Sequence, residues 1–132
     1  MASVSDVRAL TISDENAAST TRIAAAARPT AAFTLANTTH ANGTARNVTV
    51  TTTGTGDNAK TVTVVGTDVF GDSLTEVITS TSSAETVAGS SLFLTVTSAT
   101  CSAQYAANVS VGTGSICAQA VEGANRVRLK GM

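Results

Sequence analysis

The 132-residue chain contains no tryptophan, one tyrosine (Tyr105) and three phenylalanines (Phe33, Phe70, Phe93). A core of large aromatic rings is therefore excluded, and Val, Leu, Ile and Ala must fill the interior. Each large aliphatic side chain buried stabilises by roughly 1.5–3 kcal/mol, which leaves a narrow margin over chain entropy. Oligomerisation would supplement such a core. The single histidine, His40, sits in the turn-like stretch "NTTHANGT". A Ser–His or Cys–His pair would have to use it as base, and no G-x-S-x-G is present, so nucleophilic catalysis is not expected. Two cysteines, Cys101 and Cys117, are too few for a disulfide framework and lie far from His40 in sequence. They read as small buried hydrophobes, with a single bridge left open.

Charge is scarce too. Only 13% of residues are charged and the formal net charge is −1. No polybasic footprint exists, so nucleic acid is not an expected partner. A near-neutral surface also lacks the repulsion that keeps many monomers apart. No run approaches the roughly 20 apolar residues of a membrane helix. The start, "MASVSDVRAL", lacks a basic region followed by an apolar run, so neither a signal peptide nor a membrane partner is expected.

Threonine and valine are abundant, and β-branched residues suit a pleated, half-buried surface. Short alternating runs recur about every ten residues between Gly, Asn, Asp and Ser, and helical periodicity is nearly absent. Strands are predicted at 7–12 (VRALTI), 21–26 (TRIAAA), 31–37 (AAFTLAN), 46–53 (RNVTVTTT), both arms of 61–80, 91–100 (SLFLTVTSAT), 108–113 (NVSVGT), 116–121 (ICAQAV) and 126–130 (RVRLK). The 21–26 segment is Ala-rich, but Pro29 would truncate a helix there within two turns. The Asn-Gly pair at 42–43 marks a turn. The expected fold is all-β: one domain over 1–132, an antiparallel β-sandwich of jelly-roll or immunoglobulin-like type with about eight or nine strands. Residues 1–30 are less regular. They suit either an N-terminal arm or a first strand pair of the same sandwich.

The stretch "TVTVVGTDVFGDSLTEVITS" (61–80) concentrates Asp68, Asp72 and Glu76. Calcium needs about six or more oxygens at spacings such as D-x-D-x-D-G, and this stretch lacks that density. Paired carboxylates for glycoside hydrolysis would need a cleft and one raised pKa. The expected reading is a hairpin whose aspartates form the turn, with Gly66 and Gly71 bracketing it. Phe70 at its tip should pack against something, either its own sheet edge or another subunit. The glycine-rich "TGTGDNAK" (53–60) lacks the phosphate-loop spacing and a following helix, and reads as a flexible loop. Sequons at Asn37, Asn42, Asn47 and Asn108 arise readily in so Thr-rich a chain. The Thr-x-Thr pairs 49/51, 61/63 and 95/97 read as cross-strand pairing on a solvated face. No metal, cofactor or small-molecule substrate is expected.

Over residues 46–115, "RNVTVTTTG", "VTVVGTDVFGDSLTEVIT", "SLFLTVTSAT" and "NVSVGTGS" resemble small β-rich virion structural proteins of tailed bacteriophages, several of which are similar to capsid cement (decoration) proteins. The resemblance implies a structural virion part with no catalytic residues. It implies the major capsid protein and sister copies as partners, a homotrimer or dimer between capsomers, and a virion location after assembly in the bacterial cytoplasm. Another virion part (tail adaptor, tube or fibre-base module) and a carbohydrate- or surface-binding β-module stay open. Expected interface residues are Phe70 and Phe93 for self-association. Residues 1–20, with Val4 and Val7, are expected to dock on the shell.

Overall fold

Seven antiparallel strands carry the fold in the computed structural model, which describes residues 18–40 and 43–119. The first sheet runs β1 (Ser19–Ala27), β7 (Val109–Gln119), β2 (Thr44–Thr52), β5 (Thr86–Phe93). The second runs β4 (Ser73–Thr79), β3 (Thr61–Thr67), β6 (Thr95–Cys101). The described residues contain no helix.

Alternation places the core. Along β3, Val62 and Val64 are fully buried while Thr61, Thr63, Val65 and Thr67 are half-buried. β2 lies between β7 and β5 and is buried almost throughout, with Val48 and Val50 in the core. One apolar cluster joins the two sheets: Ile23 of β1, Val109 and Val111 of β7 and Phe93 of β5 meet Val62, Val64, Ile78 and Val96. Phe33 and Tyr105, from connections, complete it. Thr51 and Thr86 Oγ1 lie 2.9 Å apart across β2 and β5 on the surface, and the half-buried Thr67 and Thr95 Oγ1 2.7 Å apart across β3 and β6.

Several predicted strands take another form. Residues 31–37 do not make a strand. The segment 31–40 follows the free edge of β6 through isolated contacts: Cys101 N–H to Ala31 O (2.8 Å), Phe33 N–H to Ala99 O (2.9 Å), Val96 N–H to Thr38 O (2.7 Å) and His40 N–H to Leu94 O (2.9 Å). Midway, Ala36 N–H donates to Ile23 O of β1 (2.7 Å), so the ribbon ties an edge of each sheet to the other and cannot remain flat in either. The predicted 91–100 strand is two, β5 and β6, broken at Leu94, and β5 begins earlier, at Thr86. Conversely, 108–113 and the described part of 116–121 form one strand, β7. Residues 19–27 form β1, an edge strand of the first sheet paired with β7. The predicted strands 7–12 and 126–130 lie outside the described residues.

Cys101 is buried and points its Sγ at Ala31 O (3.0 Å). Cys117 is exposed on β7, which corrects the expectation that both are buried, and both thiols are free.

Candidate functional site

The β3–β4 hairpin pairs without slippage from Thr61↔Thr79 to Thr67↔Ser73. Residues 68–72 connect the strands, and Asp68 organises them. Its Oδ1 accepts the N–H of Phe70 (2.8 Å) and of Asp72 (3.0 Å). Its backbone N–H donates to Asp72 O (2.9 Å) and its carbonyl accepts Gly71 N–H (3.1 Å). Gly71 has φ 87°, a left-handed conformation that glycine adopts without steric cost. Gly66, by contrast, lies inside β3, paired with Leu74. The turn leaves no inward route for the next ring: Phe70 is 76% exposed, and Asp72 beside it is exposed as well. The hairpin holds an apolar ring out in water on a defined mount.

Glu76, the third carboxylate of this stretch, does something else. Its Oε1 accepts Ser90 N–H (2.7 Å), Ser90 Oγ–H (3.1 Å) and Ser91 N–H (3.3 Å), and Oε2 also receives Ser91 N–H (3.3 Å). It thus joins β4, an edge of the second sheet, to β5, an edge of the first. A carboxylate satisfying edge N–H groups forms charge-assisted bonds and removes an open edge. Gly89 makes room, because a Cβ there would strike both carboxylate oxygens. The acidic trio is therefore not one site: Asp68 builds a turn, Asp72 faces solvent and Glu76 staples two sheets. Among the described residues no three His, Cys, Asp or Glu side chains lie close enough to hold a metal ion.

The buried polar side chains include Asp57 and His40, whose acid–base state the fold perturbs. Asp57 is 1% exposed. Its Oδ1 accepts Ala106 N–H (2.7 Å) and the Lys60 ammonium (2.8 Å), while Oδ2 is buried without a partner. Lys60 also donates to Gln104 O (2.7 Å) and lies 5.6 Å from the Tyr105 ring centroid. The Tyr105 hydroxyl is 2.9 Å from Ser80 Oγ, and burial pushes its pKa above the ordinary value. Burial pushes the Asp57 carboxyl up, but the Ala106 N–H and Lys60 outweigh it and hold the group below its ordinary value. The loop 53–60 is therefore pinned by Asp57, not flexible as its glycines suggested. His40 is 2% exposed and neither ring nitrogen has a hydrogen-bond partner. Burial lowers its pKa, and the positive charges of Arg22 and Arg46 lower it further. The imidazole is thus enclosed and held in its neutral form.

No protein-family model, no curated protein and no solved structure matches this chain.

The expected interface residues separate. Phe70 is on the surface, together with the other exposed large apolar side chains among the described residues, Val77 (57%) and Ile116 (56%). Phe93 is 0% exposed inside the core. The expectation that it contacts a sister subunit is corrected: it fills the space between the sheets and has no surface to offer. Val4 and Val7 lie outside the described residues. Glu76 and Asp57 were not recognised in the sequence, because their partners stand 14–15 and 49 residues away and no motif links them.

Proposed function

We propose that this protein is a bacteriophage capsid cement protein, which binds the outside of the assembled shell between capsomers and stabilises it. The observation that carries the reading is the Phe70 tip: an apolar ring presented to water on a turn locked by Asp68. A ring so mounted is free to enter an apolar pocket on another molecule, as buried aromatic anchors of interfaces do. The resemblance of residues 46–115 to small virion proteins supports the same reading, as does a surface with little charge. In this reading the two sheets form a sandwich of jelly-roll or immunoglobulin-like type, self-associated as a trimer or dimer. The partners are the major capsid protein and sister copies. Binding only the assembled lattice stabilises it by mass action, and weak contacts add over many equivalent sites. The protein is a structural part of the virion, not an enzyme, and it joins the particle in the host cytoplasm.

Stoichiometry tests the proposal. Quantitative mass spectrometry of purified particles should find copies in the hundreds, on the scale of the capsid lattice. Six or twelve copies per particle would place the protein in the tail and sink the cement reading.

A further inference from the structure

Beyond Ile23, whose carbonyl accepts Ala36 N–H, β1 and the returning ribbon diverge, and a slot of about 430 Å³ opens between them. Ala25, Ala26, Ala27, Ala32 and Ala36 wall it, and the nearly buried Phe33 lines it too. Methyl-sized walls leave width that longer side chains would fill. A cavity of about 150 Å³ admits a benzene ring, so this slot has room for a phenyl group and its neighbours. Arg28, exposed, lines it as well, its Nε donating to Tyr105 O (3.0 Å).

We infer that copies of this chain associate head to tail, the Phe70 tip of one copy seated in the alanine-walled slot of the next. The two surfaces match in apolar character and in charge. One is an apolar ring followed two residues later by exposed Asp72, and the other is an apolar recess lined by Arg28. No ion pair among the described residues engages Asp72 or Arg28. A chain cannot satisfy its own slot. Ala32 pairs with Thr100 and Thr100 with Thr63, four residues from Thr67 where the turn begins, or ~13 Å along the strand. The slot also lies on the β6 flank of β3, whereas Phe70 leads into β4 on the other flank. A knob and a recess at different places on one protomer make a heterologous contact, which closes into a ring where the rotation permits. This deepens the cement reading by naming the contact through which sister copies meet.

The test uses the isolated full-length protein without capsids, so its failure leaves shell binding, read from particle stoichiometry, undecided by it. Sedimentation velocity over a concentration series should show self-association. Phe70→Ser should weaken it ~10–100-fold, as loss of a buried phenyl does. Ala26→Glu, which fills the slot and opposes Asp72, should weaken it comparably, with circular dichroism and melting unchanged in both. An equimolar mixture of the two variants retains one working knob and one working slot, and should form a two-copy species and nothing larger. Arg28→Asp should weaken association, and adding Asp72→Arg to the same chain should restore it. A wild type that stays monomeric at millimolar concentration would overturn the inference. So would a Phe70→Ser protein that associates like wild type, or a mixture with no two-copy species.

Discussion

Replacing Asp57 by Ala removes the acceptor that pins the 53–60 loop against residues 104–106, and the cost can be worked through. The larger loss is the bond from Ala106 N–H at 2.7 Å, a hydrogen bond to a charged group worth about 1.5–3 kcal/mol. The Lys60 pair contributes less. The Lys60 side chain is 25% exposed, so its charge is screened by solvent, and it keeps Gln104 O as a partner. One term opposes: Asp57 Oδ2 is buried without a partner, and removing it recovers on the order of 1 kcal/mol. The net expectation is a destabilisation of about 2 kcal/mol. At about 2.1 cal/mol/K per residue, 132 residues give an unfolding entropy near ~280 cal/mol/K, so each kcal/mol shifts Tm by ~3.6 °C. Asp57→Ala should therefore melt about 7 °C lower at pH 7 in a circular-dichroism scan. The pH dependence is the sharper check. The folded pKa lies below the unfolded value of 3.8, so the stabilisation is fully present above that value and is lost as pH falls through the folded pKa. The gap between wild type and variant should hold steady from pH 7 to 5 and narrow below 3.8. A gap under 2 °C at pH 7, or one that does not narrow in acid, would refute the anchor role.

Two further outcomes follow from buried and bridging groups. His40 is held neutral by burial and by Arg22 and Arg46, so the unfolded chain takes up a proton that the folded chain does not. Wild-type stability should fall as pH drops below about 6.5, and His40→Leu, similar in size with no unpartnered nitrogen, should flatten that slope in pH-resolved melts without loss at pH 7. A wild type without the slope, or a slope that persists in the variant, would refute the assignment to His40. Glu76→Ala leaves Ser90 and Ser91 N–H without their acceptor, and hydrogen exchange should speed up locally in 86–93 while the hydrogen-bonded 31–40 ribbon is unchanged.

The hairpin was legible because its signals are local. Val62 and Val64 alternate with threonines, and an aspartate and a glycine sit where a tight connection requires them. The place of Phe70 in the turn was legible for the same reason, but whether it folded back on its own sheet edge was not, and the structure leaves it exposed. What the sequence hid depends on contacts between distant segments. β5 reads "TVAGSSLF", with small residues that suggest a loop, yet Gly89, Ser90 and Ser91 are small because they receive a carboxylate from β4. β7 seemed to break at Gly114, between 113 and 116. A Cβ there would strike the Asn47 side chain of β2, so glycine makes room for a neighbouring strand and does not mark a turn. Phe33 and Leu35 alternate as in a strand and do turn toward the core, but the ribbon is shared by both sheets. The slot was invisible for a related reason: nothing in a run of alanines says that a second segment will stand opposite.

The strand order has a consequence for how the molecule comes to exist. The second sheet can form early, since β3 and β4 adjoin and β6 follows within the next few dozen residues. The first sheet cannot. β1 and β2 do not pair with each other, and the strand between them, β7, is synthesised last of the seven. Until residues 109–119 leave the ribosome, Ile23 and Val48 have no intervening partner, and two β edges remain available to neighbouring chains. Such long-range closure makes folding slow and leaves it dependent on the final segment. A truncation within β7 should therefore be felt first as aggregation in the cell.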